Sequence, residues 1–358
     1  MNIDLVIAAG VFLASALAVV YFGSQLAKYG DALATLTGWG RLFVGSILLA
    51  VATSLPELST NISAVRLSPP NPELAVGNIL GANMVNMFTL AVVALYFGGR
   101  EFLQRVAPQQ GYLILLAAVM TGAAVLFGAV RMEASFWQIG LSSFILLGIF
   151  LVGMRIVFVT RPQQGDGEGP EEAPSMTLRR AWVMFGLVSS GVVIAGFFLA
   201  WSTDQIAEIT GVASSTLGIL AVSVVTTMPE AAATIAAVRM GAVDLGVSGL
   251  FGSCVFNVTI LAYADPFYRS GILNNQTEAS HFVAGIVAIV LILAALALIL
   301  GQNRVGRIMA RAGLALMAVI YIAGAVAVVW LGAADSADSK RTSETSPSHA
   351  PQKDRAQA

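Results

Sequence analysis

Thr53-Ser54-Leu55-Pro56-Glu57 and Thr226-Thr227-Met228-Pro229-Glu230 are two polar pentapeptides set inside apolar runs, and their reading decides the fold. A carboxylate at the centre of a bilayer costs roughly 2.5–3.5 kcal/mol or more, so an intramembrane glutamate marks a functional site by default. No basic residue is placed to neutralise either one. Arg66 and Arg239 each follow their glutamate by nine residues, which at 1.5 Å per residue is roughly 13 Å along a helix and near its end. The simplest source of the missing positive charge is a bound cation.

The prolines supply the rest of that argument. Pro56 and Pro229 have no N–H for the carbonyl four residues back, and their rings press against it, so Ala52 and Val225 are expected to lose their helical partners. Broken backbone at membrane depth is tolerated only where it lines a protein-enclosed or water-filled cavity. Freed carbonyls, the hydroxyls of Thr53, Ser54, Thr226 and Thr227, and two carboxylates then form an all-oxygen shell, the ligand set of hard cations. A kinked helix whose glutamate bonds a neighbour would account for one such segment; two matched copies argue for a shared site.

The surrounding composition places these segments in a membrane. The 358 residues are 57% hydrophobic and 11% charged, with a mean hydropathy of +0.81, against about 25% charged residues in soluble domains. A net charge of −1 without a basic run gives no footing for nucleic acid, and the single Cys254 excludes an intramolecular disulfide or a cysteine-rich metal site. The N-terminal stretch has no basic region before its apolar run and its first charge is Asp4, so it reads as a spanning helix rather than a signal peptide.

Apolar runs of about 20 residues predict an all-α membrane protein of ten helices, at 4–25, 42–66, 73–98, 111–130, 134–159, 179–201, 212–239, 243–264, 282–301 and 305–332, with helices 2 and 7 discontinuous. They divide into a five-helix half (1–160), a Pro-, Gly- and Glu-rich linker (161–178) and a second five-helix half (179–332). A polar tail (333–358) is expected to be disordered. With both termini outside, the inner loops and helix ends carry Lys28, Arg41, Arg100, Arg105, Arg155, Arg161, Arg179, Arg180, Arg239, Arg304, Arg307 and Arg311, and the outer loops only Arg66, Arg131 and Arg269. The excess of inner charge favours that orientation.

Aligning Glu57 with Glu230 also places Gly77-Asn78-Ile79-Leu80-Gly81-Ala82-Asn83-Met84-Val85-Asn86 on Ser248-Gly249-Leu250-Phe251-Gly252-Ser253-Cys254-Val255-Phe256-Asn257. An odd number of helices per half makes the second copy enter from the opposite side, the inverted-repeat plan of secondary transporters. Asn78, Ala82 and Asn86 share one helix face, as do Gly249, Ser253 and Asn257, and each face can close the site. The pairs Gly77/Gly81 and Ser248/Gly252 have the small-xxx-small spacing of close helix packing. Cys254 reads as a small packing residue.

At these residues the sequence resembles the sodium/calcium exchanger family of calcium/cation antiporters, in its prokaryotic form without a large regulatory loop. The likeness is close over residues 50–90 and 223–261 and looser over the ten-helix plan. It implies a multi-pass protein of the plasma (inner) membrane that exchanges Ca²⁺ for Na⁺, with no other cofactor and no obligate protein partner. By position it implies that Glu57 and Glu230 bridge calcium and that Thr53 and Thr226 complete that site. Ser54, Thr227, Ser253 and the carbonyls of Ala50 and Ser223 would serve sodium, and Asn86 and Asn257 would lie centrally between the glutamates. Three departures bear on this. The second motif reads T-T-M-P-E, Ala82 stands where the family carries a sodium-ligating serine, and Asn257 stands where members often carry an acid.

Other classes fit less well. Exchange of Ca²⁺ for H⁺ is the near alternative, although the acidic G-N-x-x-E segment of proton-coupled relatives is absent, since Gly77-Asn78 leads to Gly81-Ala82. A passive channel would more naturally surround its pore with a ring of subunits. An intramembrane enzyme lacks its motifs: no H-E-x-x-H occurs, and neither His281 nor His349 accompanies a nucleophile signature.

Overall fold

A computed structural model of the chain describes residues 3–66, 68–160, 176–210 and 222–345. In order these form α1 (Ile3–Thr37), α2 (Arg41–Val44), a π-helical turn (Gly45–Leu49), α3 (Ala50–Thr53), α4 (Leu55–Arg66), α5 (Pro72–Tyr96), the short α6 (Arg100–Leu103) and α7 (Gln110–Val130). A two-stranded hairpin follows (β1, Ser135–Phe136; β2, Ile139–Gly140), then α8 (Leu141–Thr160) and α9 (Leu178–Thr210). Residues 222–226 are the described part of α10; after it come α11 (Met228–Arg239), α12 (Val243–Ala264), α13 (Ala279–Leu300) and α14 (Arg307–Thr345). Among the described residues eight helices are long and apolar enough to span a bilayer, and Arg41–Thr53 with Leu55–Arg66 makes a ninth span bent by 44°.

The protein is an all-helical membrane protein, and the described residues differ from the expected spans in four places. The helix expected at 4–25 is α1, which runs to Thr37. Its apolar run stops near Lys28, but nothing breaks the backbone until Gly38, whose positive φ of 67° ends the helix. The polar extension is held by a 2.7 Å ion pair between Asp31 and Arg41. Likewise α9 continues past the expected 201 to Thr210. The segment expected to start at 134 opens with the hairpin, so α8 begins only at Leu141. Finally, α14 continues through residues 333–345, helical where a disordered tail was expected. Residues 161–175 of the linker, 212–221 of the expected seventh helix and 346–358 of the tail lie outside the described residues.

Helices α5 and α12 occupy the centre. From Leu245 to Ala262 every residue of α12 is buried, a stretch apolar or small on all faces and therefore enclosed by protein on all faces. It packs against α5 and α11 and against every part of the broken first-half helix, α2 to α4. The small residues allow this proximity: a Cβ on Gly252 would lie 2.5 Å from the Ser46 carbonyl oxygen and 2.6 Å from its Cα, and one on Gly81 would lie 2.5 Å from the Ser223 hydroxyl. Both are the second members of the small-xxx-small pairs. At the periphery α1 packs on α9 and α11, and α14 on α13 and α5. Large apolar side chains such as Leu17 on α1, Leu151 on α8 and Trp330 on α14 point outward, as a hydrocarbon surround requires.

Candidate cation site

The two pentapeptides break the helices that carry them. Ser54 (φ −91°, ψ 9°) and Thr227 (φ −82°, ψ −1°) end one segment, and α4 and α11 restart immediately after. Pro56 and Pro229 thus fall in the first turn of a new helix, where a missing N–H costs nothing because first-turn N–H groups have no intrahelical acceptor. Glu57 and Glu230 occupy the same first turns, at the positive end of each half-helix, which favours negative charge. A proline interruption at membrane depth therefore delivers a carboxylate and a helix N-terminus to one place.

The halves then exchange hydrogen bonds. Ser54, three residues before Glu57, donates its hydroxyl to Glu230 Oε1 at 2.8 Å, and Thr227, three residues before Glu230, shares its one hydroxyl proton between the Ser223 carbonyl at 2.6 Å and Glu57 Oε1 at 3.4 Å. Ser253 on α12 donates to Glu230 Oε1 at 3.5 Å and lies 3.5 Å from the Thr53 hydroxyl. Thr226 donates to Asn78 Oδ1 at 3.4 Å, and Ser223 to the Asn78 carbonyl at 3.3 Å. The Ala50 carbonyl accepts from Ser54 N–H at 3.0 Å and from the Thr53 hydroxyl at 3.2 Å. The Ser223 carbonyl accepts from Thr227 N–H at 3.1 Å and from its hydroxyl at 2.6 Å.

Glu57 is 0% exposed and Glu230 2%. Asp265, the other fully buried carboxylate among the described residues, shows what a structural acid looks like. Its two oxygens accept from Leu273 N–H, Gly140 N–H and the Ser143 hydroxyl, each at 2.7 Å. Glu57 Oε2 and Glu230 Oε2, by contrast, have no hydrogen-bond partner, and neither do Asn257 Oδ1 or either amide atom of Asn86. Among the described residues no basic side chain pairs with either glutamate. Buried polar atoms are ordinarily satisfied, so unpartnered oxygens around two buried carboxylates fit a cation that accepts six to eight oxygens. No cluster of three or more His, Cys, Asp or Glu occurs among the described residues; the oxygen set consists of two acids, hydroxyls, amides and carbonyls.

Glu57, Glu230, Ser54, Thr227, Ser253 and Thr53 are joined by these contacts, and Thr226 and Ser223 are tied in through Asn78. Ala82 is buried in α5 and presents only a methyl where its repeat counterpart Ser253 presents a hydroxyl. Two polar residues escaped the sequence reading: Asn83, which bonds Asn257, and Thr121 on α7, which bonds Asn83. For Asn83 a signal existed, a third amide beside Asn78 and Asn86 within Gly77-Asn78-Ile79-Leu80-Gly81-Ala82-Asn83-Met84-Val85-Asn86; Thr121 is a single hydroxyl in an apolar helix and gave none.

Broken helices that bring two unneutralised carboxylates together inside a bundle of membrane spans define a membrane transporter of cations. The sodium/calcium exchanger protein family matches residues 7–159 and 180–330, both halves of the chain, and the chain belongs to that family. It is 25% identical to inner membrane protein YrbG of Escherichia coli over 271 residues, covering 72% of this chain and 78% of YrbG. It is 22% identical to CaxA of Alkalimonas amylolytica, covering 75% and 81%. Its fold is similar to that of the sodium-calcium exchanger NCX_Mj, with a TM-score of 0.66 at 18% identity over 89% of this chain and 97% of the other.

Proposed function

We propose that this cation exchanger moves Ca²⁺ against Na⁺ by alternating access. The observation that carries the reading is the crossed bonding of Ser54 to Glu230 and Thr227 to Glu57, with one oxygen of each carboxylate left for an ion. Two negative charges balance one Ca²⁺ or two Na⁺, so the same oxygens can serve either ion in turn. Glu57 and Glu230 bridge calcium, with Thr53 and Thr226 completing the shell and Asn86 and Asn257 between them. Ser54, Thr227, Ser253 and the Ala50 and Ser223 carbonyls serve sodium. Sodium at those carbonyls displaces the Thr53 and Thr227 hydroxyls that occupy them.

In this reading the ten spans form two inverted five-helix repeats, α10 and α11 completing the seventh, with both termini outside. The halves rock about the fixed midplane site. Matched breaks at Ser54 and Thr227 and the matched close approaches at Gly81 and Gly252 support the repeat. One observation favours a second reading, Ca²⁺ exchange for H⁺: Ser253 on α12 offers its hydroxyl to Glu230, whereas its repeat counterpart Ala82 on α5 has only a methyl to offer. Calcium uptake into everted vesicles under imposed sodium or proton gradients separates the two. Sodium-driven uptake supports the proposal, and uptake driven by a proton gradient alone overturns it in favour of the second reading.

A further inference from the structure

Asn83 sits one residue past Ala82 on α5, fully buried, and its amide is fixed by groups whose hydrogen-bonding sense admits no choice. The Thr121 hydroxyl donates to the Ala117 carbonyl at 2.8 Å, so toward Asn83 it can only accept. The Cys254 backbone carbonyl can only accept in any case. Both lie 3.2 Å from the same Asn83 nitrogen. That atom is therefore the NH₂, and the Asn83 carbonyl oxygen points to the remaining neighbour, Asn257, 3.2 Å away. Asn257 must present its NH₂ there, which leaves its own oxygen as the atom without a partner.

We infer that Asn83 is a positioning residue that turns Asn257 so that its carbonyl oxygen, not its NH₂, faces the cation. The inference rests on the cation-exchange reading and deepens it: position 257 becomes a neutral oxygen ligand and the charge of the site stays with Glu57 and Glu230. Polarity runs from the Ala117 and Cys254 carbonyls through Asn83 to Asn257, linking α7, α5 and α12. Without it the amide of Asn257 can flip, and an NH₂ aimed at a cation repels it. The arrangement also sets what position 257 tolerates, because a carboxylate there would place an oxygen against the Asn83 oxygen. The repeat counterpart of Asn83 is Cys254, and both amide atoms of Asn86, the repeat counterpart of Asn257, lack a hydrogen-bond partner. Only one of the two central asparagines is oriented in this way.

The test is binding of Ca²⁺ alone to the purified full-length protein, with thermal stability recorded for each variant. Asn83→Ala is expected to raise the half-saturating Ca²⁺ concentration about tenfold or more. In an Asn257→Asp background the same change is expected to leave it unaltered or lower it, since both carboxylate oxygens are equivalent and the opposing Asn83 oxygen is gone. Thr121→Val, nearly isosteric, is expected to act in the same direction as Asn83→Ala but more weakly, and it carries the comparison in both backgrounds if Asn83→Ala does not fold. An equal loss in both backgrounds means that Asn83 is merely structural and overturns the inference, as does wild-type affinity in Asn83→Ala. Glu57→Gln is measured alongside: normal binding in that variant overturns the site itself, whereas lost binding there with wild-type affinity in Asn83→Ala overturns only the orientation.

Discussion

Ser54 and Glu230, 176 positions apart, are joined by a 2.8 Å hydrogen bond between the two broken helices. Its mirror, Thr227 to Glu57, is 3.4 Å long. Each motif supplies the hydroxyl for the carboxylate of the other, so neither glutamate's environment is complete within its own half. A movement that separates the halves must change both carboxylates at once.

The difference in length ranks the two hydroxyls. A short hydrogen bond to a charged group contributes about 1.5–3 kcal/mol and a long one less, so Ser54→Ala should disturb the ion site more than Thr227→Ala. Sodium half-activation of calcium efflux from proteoliposomes is expected to rise about tenfold for the first and a few-fold for the second. The reverse order would mean that Thr227 is the better sodium ligand.

Ala82 and Ser253 give a second, opposed pair. Adding a hydroxyl with Ala82→Ser should supply Glu57 with the α5 oxygen it lacks and lower the sodium concentration needed for calcium release. Ser253→Ala removes the contact to Glu230 and should raise it, each by an amount on the order of 1–3 kcal/mol. If only Ser253→Ala moves the curve, position 82 is not a ligand position in this chain. If neither does, sodium is not the coupled ion.

Packing at the centre predicts a stability difference independent of transport. The Cβ introduced by Gly252→Ala would meet backbone atoms of Ser46 at 2.5–2.6 Å, whereas that of Gly148→Ala meets nothing within 4 Å. Overpacking against backbone costs about 1–3 kcal/mol, while alanine is the better helix former where space is open. Thermal unfolding of the purified variants should show a clear loss for Gly252→Ala and none for Gly148→Ala. Equal midpoints would show that α12 can move away from the Gly45–Leu49 turn.

Much of this site was legible in the sequence because its signals are local. Proline, glutamate and two hydroxyl residues within five positions specify a break, a charge and its ligands together, and their repetition at Thr226–Glu230 names the partner. Helix ends were less legible, since hydropathy reports where the chain leaves hydrocarbon, near Lys28 in α1, and not where the backbone stops coiling at Gly38. The amide of Asn257 was not legible at all. In the inferred arrangement its direction follows from Asn83, itself held by the Cys254 carbonyl and by Thr121, 38 positions away along the chain, and only the tertiary structure brings these groups together.

The central claim is that Glu57 and Glu230 together balance the charge of one calcium ion. The direct measurement is calcium flux through Glu57→Gln and Glu230→Gln, each purified, shown to be folded by its thermal transition and reconstituted in liposomes. A single desolvated carboxylate cannot neutralise a divalent cation, so each variant is expected to lose calcium transport to the background of empty liposomes while keeping a wild-type-like unfolding midpoint. Calcium flux at the wild-type rate in either variant would contradict the account.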